Sequence, residues 1–224
     1  DRIEIANPQQ PHCATVLLLD TSGSMEARIA ELQEGMQALL DDIVKDDLAK
    51  KRVDLAVITF GEQVTVAHEF ASPVNFSPPA LIAEGRTPMG EAILKATDLV
   101  EERKRQYKAM GTDYFRPWIF LFTDGEPTDM QPGDTMWNTV TQKVHEGEAQ
   151  KKFMFFAVGT REANMDVLRQ IAPPNRGPLR FKEGKFKELF QWLSKSQAKV
   201  SASKVGEQVA LENPVTAGWA EIGT

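Results

Sequence analysis

Short apolar runs alternate with longer amphipathic segments along this chain. Three of the runs are too short for helices and are rich in β-branched or aromatic residues: Thr15–Leu19, Trp118–Phe122 and Phe153–Val158. Such runs are typical of central strands in a parallel sheet, which are covered on both faces. Val53–Phe60 is a fourth predicted strand, and the turn at Gly61-Glu62 leads into Gln63–Phe70, where apolar and polar residues alternate. We predict that these two strands form a hairpin that ends on an antiparallel edge strand.

Apolar residues recur at helical spacing between the predicted strands. Five stripes of this kind run from Leu32 to Val44, from Met89 to Val100, from Met136 to Val144, from Met165 to Ile171 and from Phe186 to Leu193. Leu179–Phe181 is a weak strand before the last stripe. Because strands alternate with helices, we predict an α/β fold: a doubly wound, mostly parallel sheet with one antiparallel edge strand and helices on both faces.

The chain length of 224 residues fits one domain. We expect a leader at residues 1–12, a folded domain at 13–200 and a tail at 201–224. The leader is polar and contains two prolines, which argues against a secretory signal. The tail has few large apolar groups, and Trp219 is the residue that would pin it to the domain.

Composition narrows the classes of partner. The formal net charge of −6 argues against non-specific nucleic-acid binding, which needs clustered Lys and Arg. The longest apolar runs span about seven residues, so we expect no membrane span. Cys13 is the single cysteine; it cannot form an internal disulfide, and we interpret it as a small buried hydrophobe in a cytoplasmic protein. The densest charge run, residues 101–105, carries both signs and is interpreted as a solvated helix face.

Oxygen-bearing side chains follow the predicted strands. The first strand ends at Asp20, and Ser22 and Ser24 occupy alternate positions in the tight loop that follows. Asp124 lies in the Thr-Asp-Gly turn that follows the strand Trp118–Phe122, while Thr87 precedes the second helix. Because ligands of such folds bind beyond the carboxyl ends of the strands, we expect these five side chains to converge.

Two carboxylates and three hydroxyls make an all-oxygen set, which suits a hard cation: Mg²⁺ or Mn²⁺ in preference to Ca²⁺. Neutral hydroxyls supply no countercharge, so a carboxylate from another protein could complete the coordination shell. Each residue alone also has a simpler interpretation. Ser22, Ser24 or Thr87 could be helix N-caps, and the two aspartates could be solvated loop residues. The joint placement of all five at strand ends favours the metal site.

Three segments resemble known metal loops. Residues 20–24, Asp-Thr-Ser-Gly-Ser, resemble the Asp-x-Ser-x-Ser signature of von Willebrand factor A domains, whose metal-ion-dependent adhesion site is shared with integrin inserted domains. Residues 85–88 are similar to the second metal loop of that family, and residues 123–125 to the third. The resemblance covers about residues 12–200 and implies a Rossmann-like fold. It also implies a metal-dependent protein-interaction module, and not an enzyme, that binds its partner through an acidic residue.

A narrower similarity points to bacterial cytosolic members of this family associated with tellurite-resistance clusters. It is carried by four stretches: Val16–Met25, Arg52–Gly61, Arg116–Gly125 and Gly218-Trp219-Ala220. The similarity implies a stress-response role beside a kinase and a phosphatase encoded nearby. Arg86 departs from the family pattern, since many relatives have glycine there. A positively charged side chain at this position would either weaken metal binding or add a contact for an acidic partner.

Two other functions remain open from the sequence. A metal-dependent hydrolase or phosphatase would use the ion to activate water, with Glu126 or Asp129 as the general base, although none of the three histidines falls at a strand end. An accessory subunit of a chelatase or another ATPase machine is the second, a role that the same family also fills. Around the site we expect a rim of eight residues: Met25, Glu26, Arg86, Met89, Glu126, Thr128, Asp129 and Met130. Met89 has an alternative interpretation as a core residue.

Overall fold

The computed structural model describes residues 5–222, in which seven strands form one sheet. In chain order the strands are β1 (Cys13–Asp20), β2 (Val53–Phe60), β3 (Val64–Ala71), β4 (Trp118–Thr123), β5 (Met154–Gly159), β6 (Leu179–Phe181) and β7 (Ala220–Ile222). Their order across the sheet is β3-β2-β1-β4-β5-β6-β7. Strands β2, β1, β4, β5 and β6 are parallel to their neighbours in this set, and β3 is antiparallel to β2.

Helices cover both faces of the sheet. They are α1 (Ile29–Lys45), preceded by a 3-10 helix at Gly23–Arg28, and then α2 (Ala49–Arg52), α3 (Met89–Ala109), α4 (Thr135–Ala149), α5 (Met165–Ile171) and α6 (Phe186–Ser201). Leu17 and Leu19 of β1 belong to the core formed with α1 and α6, whereas Val16 and Leu18 belong to the core formed with α3, α4 and α5. A strand buried on both faces explains the uninterrupted apolar run, and the predicted doubly wound fold is confirmed.

The sheet has two antiparallel edge strands, so the prediction of a single one was wrong. β7 comes from the tail and pairs antiparallel with β6. Trp219 immediately before it is fully buried, and its carbonyl accepts a hydrogen bond of 3.0 Å from the Lys182 amide. The indole ring lies 5.3 Å from that of Trp192. A three-residue strand has no alternation to reveal it, and its position is set by the buried indole beside it.

Two of the five residues in the charge run at 101–105 are buried, so the interpretation of the run as a solvated helix face was wrong for these two. Arg103 and Lys104 of α3 are 3% and 8% exposed. The apolar stripe of α3 continues from Val100 through these two residues to the fully buried Tyr107 at helical spacing. The guanidinium of Arg103 donates to the Asp54 carboxylate at 2.8 Å, which provides the partner that a buried charge needs.

Cys13 is fully buried, as predicted, and burial raises the pKa of its thiol to about 12. The thiol is therefore protonated at neutral pH. Within residues 5–222, no helix is long and apolar enough to cross a membrane.

Gly35 permits the close packing of α1 on α6. A methyl group on Gly35 would lie 2.3 Å from a ring carbon of the buried Phe190. We expect Gly35→Ala to lower the free energy of unfolding, because overpacking costs about 1–3 kcal/mol and the gain in helix propensity returns only about 1 kcal/mol. Urea unfolding measures the difference. Gly177→Ala is the control, since nothing lies within 4 Å of its added methyl group; equal losses in both variants would contradict the packing.

Candidate metal centre

Two aspartates lie at the carboxyl ends of neighbouring parallel strands. Asp20 is the last residue of β1, and Asp124 directly follows β4, which pairs with β1 in parallel register. Asp20 is fully buried and Asp124 is 7% exposed. The end of the sheet thus places two carboxylates next to each other, where an α/β sheet ordinarily binds its ligand.

The loop after β1 connects the two carboxylates through serine side chains. The Ser22 amide donates to Asp20 Oδ1 at 2.9 Å, and the hydroxyls of Ser22 and Ser24 lie 3.1 Å apart. Ser24 Oγ in turn donates to Asp124 Oδ1 at 2.9 Å. The structure therefore brings four of the five predicted ligands into one continuous set of contacts.

Thr87, the fifth predicted ligand, faces the same place from the connection at residues 72–88. A methyl group on Gly125 would lie 3.3 Å from Thr87 Oγ1 and 3.9 Å from Asp20 Oδ2, so both oxygens flank the space above Gly125. The backbone of Thr87 is fixed by Thr128, whose hydroxyl accepts from the Thr87 amide at 3.1 Å and whose amide donates to the Thr87 carbonyl at 2.9 Å.

The hydroxyls of Ser22 and Thr87 do not serve as helix caps. Ser22 precedes the 3-10 helix without a capping hydrogen bond from its side chain. Helix α3 begins after Pro88, and its first free amides, those of Gly90 and Glu91, donate to the Asp129 carboxylate at 3.0 and 2.8 Å. Because Asp129 satisfies the helix end, the Thr87 hydroxyl remains available for another ligand.

Among residues 5–222, no cationic group pairs with Asp20, and Asp124 has only a distant one. Burial raises the pKa of Asp20, against the hydrogen bonds from Thr123 and Ser22, which lower it. Burial likewise raises the pKa of Asp124, partly offset by the Ser24 hydroxyl and the positive charge of Arg28. Arg28 approaches Asp124 only to 3.9 Å and donates at 2.6 Å to Glu162 instead. Burial thus disfavours the charged form of both carboxyl groups, and a bound cation would stabilise that form.

The residues present fit a divalent cation. Within residues 5–222, no group of three or more His, Cys, Asp or Glu side chains is placed to hold an ion. A metal at this edge of the sheet would therefore need the three hydroxyls in addition to the two aspartates. Such a set of oxygens matches the preference of Mg²⁺ and Mn²⁺ for hard ligands.

Sequence reasoning missed two residues that shape this site. Thr123 Oγ1 donates to Asp20 Oδ2 at 2.5 Å and accepts from the Gly125 amide at 3.2 Å, so it orients the buried carboxylate. Arg28, at the end of the 3-10 helix, reaches Glu162 as well as Asp124. The position of Thr123 directly before Asp124 was a usable signal, whereas nothing in the sequence links Arg28 to Glu162.

The predicted rim is correct only in part. Met25, Met89 and Met130 are at most 2% exposed and belong to the cores. The prediction of Met25 and Met130 as contact residues was therefore wrong, and Met89 follows its alternative interpretation as a core residue. Helical spacing places apolar side chains inward, and these three complete the two core layers. Asp129 is half-buried, and four rim residues are exposed: Glu26, Arg86, Glu126 and Thr128. Among the five predicted ligands, Ser24 is the exposed one, so the site opens to solvent at this serine.

The sheet, with its carboxylate and hydroxyl side chains at the carboxyl ends of the strands, identifies a Rossmann-like domain. The loop after its first strand is a candidate metal-binding loop. The chain belongs to the von Willebrand factor type A domain family, which it matches over residues 15–195. This range contains all five predicted ligands. No curated protein sequence matches the chain significantly.

Solved structures of the same fold come from several organisms. A von Willebrand factor type A protein from Catenulispora acidiphila is 17% identical, with a TM-score of 0.62 over 84% of this chain and 43% of that one. The manganese-loaded Plasmodium vivax TRAP protein is 16% identical, with a TM-score of 0.51 over 71% and 62%. Proximal thread matrix protein 1 from the mussel byssus, with a zinc-occupied MIDAS motif, is 15% identical, with a TM-score of 0.53 over 84% and 48%. This chain thus spans less than half of the first and last of these proteins.

Proposed function

We propose that this domain binds a protein partner through a divalent cation held by Asp20, Ser22, Ser24, Thr87 and Asp124. The observation that carries the proposal is that two buried carboxylates and three hydroxyls lie together at one edge of the sheet, where little positive charge balances the carboxylates. The family often has metal sites that mediate protein interactions. Two distant structural relatives carry manganese and zinc, respectively. For this chain we propose Mg²⁺ or Mn²⁺, because all of the donors are oxygens.

The chain's own residues divide the work of the site. Asp20 supplies a carboxylate whose position is fixed by hydrogen bonds from the Thr123 hydroxyl and the Ser22 amide. Ser24 is exposed and contacts Asp124, so it marks the side from which a partner would approach. The bound ion would supply an open position for an anionic ligand. Arg86, exposed beside Thr87, would add a guanidinium donor for the same acidic group.

Binding is favoured over hydrolysis by the contacts of the two candidate bases. Both carboxylate oxygens of Asp129 accept backbone amides at the start of α3, which commits this side chain to the helix. Glu126 is held by the Asn164 side-chain amide at 2.6 Å. His145 contacts the Ala172 carbonyl, and the His68 ring packs tilted against Phe76, so neither contact involves a proposed metal ligand. We therefore propose an interaction module and not an enzyme.

The cellular setting is a further part of the proposal. The four stretches that resemble tellurite-associated members support a cytoplasmic bacterial stress-response role beside a kinase and a phosphatase. The competing role is that of an accessory subunit of a chelatase or another ATPase. A pull-down from the native cell, with and without chelator, separates the two, because the first predicts a kinase or phosphatase in the chelator-sensitive fraction and the second predicts an ATPase.

The proposed mode of binding predicts that partner capture needs both the ion and one acidic residue of the partner. Asp124→Ala is expected to abolish capture, since it removes one of two charges that hold the ion. Arg86→Gly is expected to weaken capture or change partner choice without unfolding the domain. Surface plasmon resonance with the captured partner measures both effects. Full affinity in chelator, or after every acidic contact residue of the partner is neutralised, would overturn the proposal.

Loss of the metal is expected to leave the fold intact. The two cores on either side of the sheet supply the burial, and the site lies at the edge of the sheet beyond them. Far-ultraviolet circular dichroism should therefore stay nearly unchanged when chelator is added to the metal-loaded protein. A cooperative loss of signal would instead mean that the ion is structural.

A further inference from the structure

A polar cavity of about 340 Å³ lies beside the metal centre. It is bounded on one side by the end of β2, the β2–β3 turn and the start of β3, and on the other side by the connection at residues 72–88. The lining residues are Thr21, Thr59, Glu62, Gln63, Thr65, Ala80, Leu81, Ile82 and Glu84. Most of the lining side chains carry hydroxyl, amide or carboxylate oxygens, so the cavity suits a polar or charged group and not an apolar one.

The cavity wall is part of the same backbone that positions the metal ligands. Thr21 lies between Asp20 and Ser22 in the first metal loop. Its amide donates to the Phe60 carbonyl at 2.8 Å, and its carbonyl accepts from the Glu84 amide at 2.8 Å. The cavity wall therefore includes a residue that directly adjoins two of the proposed metal ligands along the chain.

The cavity contains polar groups that the folded chain leaves without partners. Glu62 and Glu84 are exposed, and neither forms an ion pair with any residue in the range 5–222. Thr21 is 6% exposed, and its hydroxyl forms no hydrogen bond with a described residue. The Thr21 hydroxyl at the cavity wall is therefore available to hydrogen-bond with a group that enters the cavity.

We infer that this cavity binds a lysine or arginine side chain of the protein partner, next to the acidic residue that reaches the metal. The inference rests on the proposed function and names the second feature of the partner. Two carboxylates without cations complement a positive charge, and a lysine or arginine head group has several donors that can reach hydroxyl and carboxylate acceptors together. The recognised segment of the partner would thus pair an acidic residue with a basic residue close to it in space.

Peptide arrays test this inference with the full chain loaded with Mn²⁺. Each peptide has one fixed aspartate, and the positions on both sides of it are varied. We expect peptides with lysine or arginine at one position near the aspartate to bind more tightly than those with alanine. In the double variant Glu62→Gln, Glu84→Gln, the affinity advantage of peptides with a basic residue should fall by about threefold to tenfold, because partly exposed ion pairs have modest strength. Both side chains are exposed, so the double variant should fold normally.

Glu69→Gln is the matched control, since Glu69 is an exposed glutamate of β3 outside the cavity. It should keep the full preference for a basic neighbour. If aspartate binding is chelator-sensitive but lysine and arginine give no advantage, or if the double variant keeps the advantage, the cavity inference is overturned and the proposed function stands. If no peptide shows chelator-sensitive, aspartate-dependent binding, the proposed function itself is overturned, and the inference falls with it.

Discussion

Replacing Asp20 by alanine is expected to abolish Mg²⁺ or Mn²⁺ binding by the purified chain. Asp20 is the carboxylate at the centre of the site: it is fully buried, Thr123 and Ser22 fix its two oxygens, and it faces Thr87 across Gly125. Removing it leaves Asp124 as the single carboxylate of the set. Hydroxyls are neutral and cannot replace the lost charge, so the ion would retain too little attraction to displace its hydration shell.

Titration calorimetry on chelator-stripped protein measures this effect. The wild-type chain should show one site, and Asp20→Asn should behave as Asp20→Ala does, because the amide keeps the shape but not the charge. Asp98→Ala is the control, since Asp98 is a solvent-facing aspartate of α3 that pairs with Lys143. Equal heats from the wild type and both Asp20 variants would remove the basis for the metal assignment.

The arrangement of the site was predictable because the strands that form it are easy to recognise. Fully buried central strands appear as short apolar runs, and the carboxyl ends of parallel neighbours lie at one edge of the sheet. Asp20 and Asp124 end or follow two such runs, so their closeness follows from the fold alone. Thr87 has a weaker signal, because it lies in a long irregular connection; only its position just before the second helix, together with the family resemblance, indicated its place in the set.

The contacts that the sequence did not predict depend on distant segments. Arg28 and Glu162 are 134 positions apart in the chain, and no local pattern relates them. The same holds for β7, whose position follows from the buried Trp219 and not from its own three residues. Asp54 is a further example. It interrupts the apolar run of β2, and only the structure shows the partners that make its burial tolerable.

Asp54→Asn is expected to lower the free energy of unfolding by about 3–5 kcal/mol near neutral pH, because it leaves a buried arginine without its counterion. Asp54 is fully buried and contacts His12 Nδ1 at 3.1 Å, the Arg103 guanidinium at 2.8 Å and the Tyr107 hydroxyl at 2.5 Å. Asparagine keeps the side-chain volume and a hydrogen-bonding oxygen, so the lower free energy of unfolding would result from the missing charge. Asp41→Asn, at an exposed position of α1, should change stability little.

The effect of Asp54→Asn should fade in acid. Burial raises the pKa of Asp54, but the hydrogen bond with His12 and the charge of Arg103 outweigh it, so the pKa lies below its ordinary value. A carboxylate with a lowered pKa in the folded state stabilises the protein fully above its unfolded pKa of about 4, and this contribution is lost as the pH falls through the folded pKa. Guanidinium unfolding of the wild type and the variant, between about pH 7 and pH 2, should show their difference shrinking below about pH 4. A difference that stays constant over this range would show that the charge of Asp54 does not account for the loss of stability.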